Sequence, residues 1–142
     1  MDNRQLAKRL SESSDIIFKY GSPWSEAQFY DQLAQKNNIT HVKLEDDKVI
    51  GFIICQFVLD EAELLLIGVL PDYKNKGIAS TLLTEACELL KQSNVSHLFL
   101  EVRSQNEEAI GFYKKYQFKE LGVRKNYYHH PTDNAVMMQL EI

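Results

Sequence analysis

The sequence predicts an α/β fold in a single domain that spans residues 1–142. A chain of this length can bury a hydrophobic core without disulfides or a structural metal. Two almost continuous apolar runs, residues 63–70 and 97–102, have the composition of strands that are covered on both faces. A segment with apolar residues at helical spacing follows each run, and this strand-helix-strand-helix order is typical of α/β proteins.

The first part of the chain shows helical patterns before any strand. Apolar residues recur at helical spacing up to residue 20, where Gly21-Ser22-Pro23 interrupts them, so one or two helices are expected to end there. No N-terminal strand is visible. Ser25 and Gln28 have the spacing of a capping box, which predicts a further helix that ends near Asn37-Asn38.

The rest of the chain alternates strands and helices. Runs rich in β-branched and aromatic residues predict strands, and Asn106 is a suitable N-cap for the last helix. A turn at residues 131–134 joins the last two strands. In chain order, the predicted elements are a hairpin of strands 41–44 and 49–58, strand 63–70, helix 80–92, strand 97–102, helix 107–116, and strands 119–128 and 135–142.

The composition argues against several classes of function. Hydrophobic residues make up 44% of the chain and charged residues 25%, which is an ordinary globular balance. No apolar run approaches the roughly 18 residues of a membrane span, and no secretory segment begins the chain, so no membrane partner is expected and a cytoplasmic location is favoured. A net charge of −4 argues against broad binding of nucleic acid, which needs a basic surface.

The cysteines and histidines predict neither a disulfide nor a metal centre. Cys55 and Cys87 lie in apolar surroundings and are expected to be buried free thiols. His129-His130 has no cysteine or acidic residue at a ligand spacing, so no metal is predicted. Acidic residues in and beside the turns at 46–47 and 60–63 could attract a cationic peptide or could be solvated turn charges.

A loop with one glycine joins strand 63–70 to the next helix. Gly77 can adopt a positive φ, and the N–H groups at the start of a helix converge on a point that favours phosphate. Lys74 and Lys76 add positive charge. The loop matches neither the P-loop nor the dinucleotide pattern, so coenzyme A remains as a phosphate-bearing candidate, with an ordinary turn as the alternative.

The residues around this loop resemble those of a known family. The run Ile67-Gly68-Val69-Leu70-Pro71-Asp72-Tyr73-Lys74-Asn75-Lys76-Gly77-Ile78-Ala79 resembles the GNAT acetyltransferase motif, a strand followed by Q/R-x-x-G-x-G/A. Lys74 replaces the usual Gln or Arg, and Gly68 replaces an Ala. Further motifs are similar, in order and spacing, to those of RimI-type ribosomal-protein N-terminal acetyltransferases: Pro23-Trp24-Ser25, Leu100-Glu101-Val102-Arg103, Asn106, Ala109-Ile110, Phe112-Tyr113, Arg124-Lys125-Asn126-Tyr127-Tyr128 and Asp133-x-Ala135-Val136-Met137-Met138.

The resemblance spans nearly the whole chain and implies the GNAT fold. In this fold a mixed, mostly antiparallel sheet splays apart at two cofactor strands and carries helices on both faces. The pantetheine arm of acetyl-CoA is then expected to enter between strands 63–70 and 97–102 and to pair with the backbone like a short strand. The implied acetyl-CoA-binding residues are Ile67, Gly68, Val69, Lys74, Asn75, Lys76, Gly77, Ile78, Ala79, Ser80 and Asn106, although Asn106 could be only a helix cap.

The resemblance and the chemistry of amines together indicate a catalytic base. Acetyl transfer needs a neutral amine, and a peptide α-amino group with a pKa near 8 is easier to deprotonate than lysine by roughly 3.4 kcal/mol. A carboxylate acting through water can therefore serve an N-terminal amine. Glu101 is the candidate, because desolvation would raise its pKa if it faces inward. The alternative is a solvent-facing glutamate or one paired with a lysine.

Tyr113 matches the helix tyrosine that protonates the departing coenzyme A thiolate in the family. Reference pKa values of about 10 for tyrosine and about 8.5 for a thiol make this transfer uphill by roughly 2 kcal/mol, so tuning or concerted transfer is expected. Packing in the core is the alternative. Trp24, Tyr127 and Tyr128 are candidates for the wall of a peptide groove, with sheet packing as the alternative for each.

The predicted function is transfer of the acetyl group of acetyl-CoA to the N-terminal α-amine of a protein, with a ribosomal protein favoured as partner. Two alternatives stay open: acetylation of a small-molecule amine, and a non-catalytic module that binds acyl-CoA. The oligomeric state is open.

Overall fold

The computed structural model describes all 142 residues of the protein, with four helices and one six-stranded sheet. None of the helices combines the length and the apolar character that crossing a membrane requires. The helices are α1 (Asn3–Ile17), α2 (Glu26–Leu33), α3 (Ile78–Gln92) and α4 (Glu107–Lys115), and the strands are β1 (Asn38–Glu45), β2 (Lys48–Val58), β3 (Glu61–Val69), β4 (His97–Arg103), β5 (Lys119–His129) and β6 (Thr132–Glu141).

The sheet has the strand order β1-β2-β3-β4-β6-β5, and β3 and β4 are its only parallel neighbours. The apolar strand β3 therefore lies inside the sheet, as its sequence predicts. On one face, α1 and α2 bury Leu10 and Phe29 against β2. On the other face, α3 and α4 bury Leu90 and Tyr113 in the larger core. The mixed sheet with helices on both faces confirms the predicted fold class.

Side-chain caps fix the starts of three of the four helices. Asp2 and Ser25 each form a capping box with the glutamine three residues later. The Oδ1 atom of Asn106 accepts a hydrogen bond of 3.1 Å from the backbone N–H of Ala109 at the start of α4. The caps predicted at Ser25 and Asn106 are thus confirmed, whereas α3 begins at Gly77, which has no side chain to cap it.

The predicted end of the second helix is wrong. α2 ends at Leu33, Asn37 lies in a turn, and Asn38 already belongs to the next strand. Asn38 pairs with Gln56 of β2, and the Asn37 side chain donates a hydrogen bond of 2.8 Å to the carbonyl of Phe57. Pairing with β2 therefore extends β1 beyond the residues whose composition alone indicates a strand.

The predicted start of the last strand, residue 135, is also wrong. The connection between β5 and β6 is only His130-Pro131, because His129 pairs directly with Thr132. Asp133 and Asn134 consequently belong to β6 rather than to the turn. This places the buried carboxylate of Asp133 next to the end of β4, where it accepts a hydrogen bond of 2.5 Å from the Ser104 hydroxyl.

Gly68 lies where the C-terminal end of α1 crosses β3. A Cβ added at this position would be 2.6 Å from Cγ2 of Ile17, far inside a normal contact distance. The absence of a side chain at Gly68 therefore lets α1 lie against the sheet. This close approach gives a physical reason for glycine at a position where the family motif has alanine.

Candidate active site

The loop between β3 and α3 presents free backbone N–H groups at the start of the helix. Gly77 has φ 78° and ψ 9°, a left-handed conformation that glycine adopts without strain. Asn75 also has a positive φ, of 63°. No protein hydrogen bond occupies the N–H groups of Ile78, Ala79 and Ser80. Such a helix start can bind phosphate through its N–H groups and the positive end of its dipole.

The side chains around this loop contact α4. The ammonium of Lys74 lies 3.3 Å from the Glu108 carboxylate, and both groups are solvent-exposed. Lys76 lies over the ring of Tyr73 instead, 5.5 Å from its centroid. The hydroxyl of Tyr116 donates a hydrogen bond to the hydroxyl of Ser80 and so joins the end of α4 to the first turn of α3. The loop and the first turn of α3 are therefore in direct contact with α4.

β3 and β4 separate after three paired residues. The parallel ladder joins residues 61–63 of β3 to residues 97–99 of β4 and then stops. Beyond it, β3 continues to pair with β2, and β4 continues to pair with β6. Ile67, Gly68 and Val69 therefore have no strand partner on the β4 side. This unpaired edge confirms the predicted splay, and its polar backbone groups can pair with amides of a bound ligand.

A cavity of about 360 Å³ lies beside β4 at the end of this ladder. Leu98, Leu100 and Val102 of β4 pack into the core under α3 and α4, so the alternate residues of the strand project from the opposite face. Three carboxylate side chains and several apolar ones line the cavity, among them Glu61, Glu63, Glu101, Phe99, Leu121 and Met137.

Glu101 is half-buried at this cavity, with 24% of its side chain exposed. Nη1 of Arg124 lies 3.8 Å from its Oε1. The Glu101 carboxylate raises the pKa of the Tyr127 hydroxyl by hydrogen bonding and by its charge. Partial desolvation, to which the charge of Glu101 adds, raises the pKa of Glu63. Glu101 is thus neither a fully buried group nor a freely exposed one, and its cationic neighbour is an arginine.

Tyr113 belongs to α4 and is buried in the core on the face of the sheet opposite to Glu101. Its ring packs edge-on against Phe118 at a centroid distance of 5.3 Å. Burial raises the pKa of Tyr113, and the neighbouring Cys55 and Tyr128 add to this rise. The phenol is therefore protonated at neutral pH, as a proton donor must be. Burial thus makes this phenol a weaker acid than a free tyrosine.

The candidate aromatic residues do not all lie in one place. Tyr127 and Tyr128 are in edge-to-face contact at 5.1 Å. The pKa of Tyr128 is raised by burial and then by the charge of Glu101. Trp24 instead packs against Phe29 at 5.2 Å and lines a separate polar cavity of about 320 Å³.

The two thiols are free and no metal-binding cluster is present. Cys55 is buried and Cys87 is half-buried. Desolvation raises the pKa of Cys55 to about 12, so it is an unreactive thiol at neutral pH. No group of three or more His, Cys, Asp or Glu side chains could hold a metal ion.

Comparison with known proteins agrees with this geometry. The sequence model of the Acetyltransferase (GNAT) family matches residues 8–118. This chain belongs to the GNAT acetyltransferase family. It is an acetyl-CoA-dependent N-acetyltransferase, and the free N–H groups of its loop and the unpaired edge of β3 fit the pyrophosphate and the pantetheine arm of that co-substrate.

Several named relatives of this acetyltransferase match most of its length. The ribosomal protein bS18-alanine N-acetyltransferase of Haemophilus influenzae is 41% identical over 120 residues, which cover 82% of this chain and 80% of that protein. The crystal structure of the ribosomal-protein-S18-alanine N-acetyltransferase from Escherichia coli superposes with a TM-score of 0.86 at 31% identity, covering 96% of this chain and 87% of that one. Ard1 from Thermoplasma volcanium also superposes with a TM-score of 0.86, at 26% identity, covering 100% and 94%.

Solved structures of the same fold hold the coenzyme. The paiA N-acetyltransferase from Thermoplasma acidophilum, crystallised in complex with coenzyme A, superposes on this acetyltransferase with a TM-score of 0.73. At 23% identity, this likeness concerns the fold alone. The residues predicted to bind acetyl-CoA lie on β3, in the loop and first turn of α3, and at the N-cap of α4.

The sequence did not reveal every polar contact at this site. Arg103 stands two residues after Glu101 in β4, so strand alternation places both side chains on one face of the sheet. This spacing alone would have indicated Arg103 as a residue close to the site. The bond between Tyr116 and Ser80 and the pair of Lys74 with Glu108 had no such signal. Both contacts depend on how α3 and α4 pack together.

Proposed function

We propose that this acetyltransferase transfers the acetyl group of acetyl-CoA to the N-terminal α-amine of a ribosomal protein. The observation that supports this proposal most directly is its likeness, over more than 80% of the chain, to enzymes named for the N-terminal alanine acetylation of ribosomal protein bS18. In this proposal residues 1–142 act as one catalytic domain. The acceptor would be met in the cytoplasm, where ribosomal proteins are made.

The cavity beside β4 is suited to a peptide amine. Its carboxylates attract the ammonium form in which an N-terminus arrives, and its apolar wall suits a small first side chain. Tyr127, which is exposed beside Glu101, offers an amphipathic surface for the following residues. Trp24 could contact only more distant residues of the peptide, because it lines the second cavity. Gln56 lines both cavities and would lie between the two parts of such a path.

Glu101 is the proposed base. Acetyl-CoA supplies a thioester whose acetyl carbon is attacked by the neutral amine. A peptide N-terminus has a pKa near 8, so only a modest driving force is needed to remove its proton at neutral pH. Glu101 lies at the cavity wall, half-buried, and can accept this proton directly or through a water molecule.

Tyr113 is the proposed acid. Its phenol is protonated at neutral pH. Its ring belongs to the same core cluster as Ile53 and Cys55 of β2, the strand that pairs with β3. Since its pKa is raised, Tyr113 is expected to donate its proton to the coenzyme A sulfur only as the carbon–sulfur bond breaks. The N-terminal ammonium first gives one proton to Glu101, which releases it to solvent. After the neutral amine has attacked and the carbon–sulfur bond breaks, the nitrogen gives its second proton to Glu101 and the sulfur gains one from Tyr113. These two side chains then exchange one proton with solvent before the next turnover.

The test is acetylation of a small panel of amines, followed by intact mass. A peptide with the N-terminal sequence of bS18 and a free amine is compared with the same peptide blocked at its N-terminus and extended by a lysine, and with a polyamine. We expect one acetyl group on the free N-terminus and none on the other two. Acetylation of the polyamine but of no peptide would contradict the proposal, as would binding of coenzyme A without any transfer.

Two variants test the catalytic assignments. Glu101→Gln and Tyr113→Phe are each expected to lower kcat by about 10²-fold or more, because general acid-base catalysis contributes about 10²–10⁴-fold, with unchanged affinity for acetyl-CoA. Glu88→Gln and Tyr30→Phe, both exposed on helices, are matched controls that should retain full activity. Wild-type turnover in either test variant would remove the catalytic role of that residue.

A further inference from the structure

Arg103 joins three chain segments at the end of β4, two residues beyond Glu101. It lies at the end of β4 and projects from the same face as Glu101. Its Nη1 donates a hydrogen bond of 2.7 Å to the carbonyl of Pro131, and its Nη2 donates one of 3.3 Å to the carbonyl of His130. Both acceptors belong to the turn between β5 and β6, so the guanidinium holds this turn to β4.

The same guanidinium contacts two aromatic rings. Its Cζ atom lies 4.3 Å from the ring centroid of Tyr128 in β5 and 5.0 Å from that of Tyr20, in the connection between α1 and α2. Cation–π contacts at these distances favour a fixed ring position. The Tyr20 side chain is half exposed, and its ring makes cation–π contacts with Arg103 and with the adjacent Lys19.

The contact with Tyr128 leads directly to the reacting groups. Tyr128 packs edge-on against Tyr127, whose hydroxyl interacts with the Glu101 carboxylate. Arg124 also contacts both the Tyr127 ring, at 5.4 Å, and the Glu101 carboxylate, at 3.8 Å. A displacement of the Tyr128 ring would therefore shift the surroundings of Glu101, although Arg103 does not touch Glu101 in a hydrogen bond or ion pair.

A second link strengthens this end of the sheet. The buried Asp133, in β6, accepts hydrogen bonds from the Ser104 hydroxyl and from the N–H groups of Gln105 and Asn134. It thereby ties the segment after β4 to β6, directly beside the turn that Arg103 holds. Since Asp133 fixes the backbone of the hairpin, the distinct contribution of Arg103 is to hold the rings of Tyr128 and Tyr20 against its guanidinium.

We propose that Arg103 is a positioning residue of the acceptor site, which orients Tyr128 and Tyr20 beside Glu101. The inference rests on the proposed function, because it assigns these rings to the wall that contacts the acceptor. An arginine suits this position since its planar group offers both a pair of donors to the turn and flat faces to aromatic rings. Lysine has one compact charge and cannot do both.

The test separates acceptor binding from binding of acetyl-CoA. Arg103→Lys and Arg103→Met are expected to raise KM for the acceptor peptide about tenfold, while KM for acetyl-CoA and the urea midpoint stay close to wild type. Arg9→Met, which removes an arginine from the exposed face of α1, is the matched control and should change neither KM. Equal increases in both KM values, or a wild-type acceptor KM in Arg103→Lys, would overturn the proposal.

A second pair of variants shows whether Arg103 acts through Tyr128. Tyr128→Leu removes the ring that the guanidinium contacts and should raise the acceptor KM as Arg103→Met does, and the two changes are then combined in one double variant. The double variant should then be no worse than either single one, because the two changes remove the same contact. If the two increases in the acceptor KM multiply in the double variant, Arg103 does not act through the ring of Tyr128.

One readout does not depend on the acceptor. Amide hydrogen exchange of the β5–β6 turn and NMR signals of the Tyr20 and Tyr128 rings should show greater mobility in Arg103→Met than in wild type. If the wild type acetylates no peptide but the rings are mobilised, the proposed function fails and Arg103 is left as an organiser of the hairpin. Rings that are unchanged in Arg103→Met would refute the positioning role even if the peptide is a good acceptor.

Discussion

The contact between α1 and β3 at Gly68 can be tested by adding a single methyl group. In Gly68→Ala the new Cβ would lie 2.6 Å from Cγ2 of Ile17, whereas carbon atoms in favourable contact are about 3.5–4.0 Å apart. The end of α1 must therefore move by roughly 1 Å. Overpacking of this kind costs about 1–3 kcal/mol. This cost is partly offset, because an alanine in a strand loses less conformational entropy on folding than a glycine does. The offset is roughly 0.5–1 kcal/mol.

The expected net loss of stability is about 1–2 kcal/mol. With a urea m-value of about 2 kcal/mol per molar, the midpoint of unfolding should fall by roughly 0.5–1 M. Gly122→Ala is the matched control, since an added Cβ there meets no atom within 4 Å and the residue also lies in a strand. This control should be neutral or slightly stabilising.

A double-mutant cycle identifies the partner in the clash. Shortening Ile17 to alanine removes the atom that the new methyl group meets, so Gly68→Ala should cost little in the Ile17→Ala background. The same cost in both backgrounds, or a Gly68→Ala variant as stable as the wild type, would refute the view that α1 requires glycine at this position.

Three further predictions concern Tyr113, Asn106 and Lys74. The raised pKa of Tyr113 means that its stabilising contribution is complete below the unfolded value of about 10 and is lost as the pH rises through the folded value, so wild type should lose stability relative to Tyr113→Phe above about pH 10. Parallel stability curves would contradict that burial. Asn106→Ala should cost about 1 kcal/mol in thermal unfolding, whereas Asn106→Asp should keep the cap; equal losses would contradict a capping role. Lys74→Gln should weaken coenzyme A binding less than tenfold in calorimetry, because its ion pair with Glu108 is exposed and the backbone N–H groups remain; abolished binding would show that the side chain dominates.

The parts of the fold that follow from local sequence were predictable. Ser25 with Gln28, and Asn106 three residues before Ala109, determine helix starts through contacts within one turn. The loop at Gly77 is also local, since a single glycine between strand and helix permits the left-handed turn. These features need no knowledge of how the rest of the chain packs.

The features that depend on a distant partner were not predictable. The extension of β1 to Asn38 depends on β2, and the short turn before Thr132 depends on the register between β5 and β6. The contacts of Arg103 with Tyr20 and Tyr128 join three separate segments, which no spacing in the sequence reports. Strand alternation indicates which face a residue occupies but does not name its partner.

The early separation of β3 from β4 has a consequence for how such a protein can diverge. The edge that receives the donor is made of backbone groups, which every amino acid except proline supplies in full. Side chains on β3 can therefore differ between relatives, as at Gly68, where the family motif has alanine. The backbone N–H and C=O groups of the edge stay the same. The acceptor cavity is lined by side chains such as Glu101 and Met137, and each replacement there alters it directly. Mutation is thus expected to redirect the choice of amine long before it abolishes use of the acetyl donor.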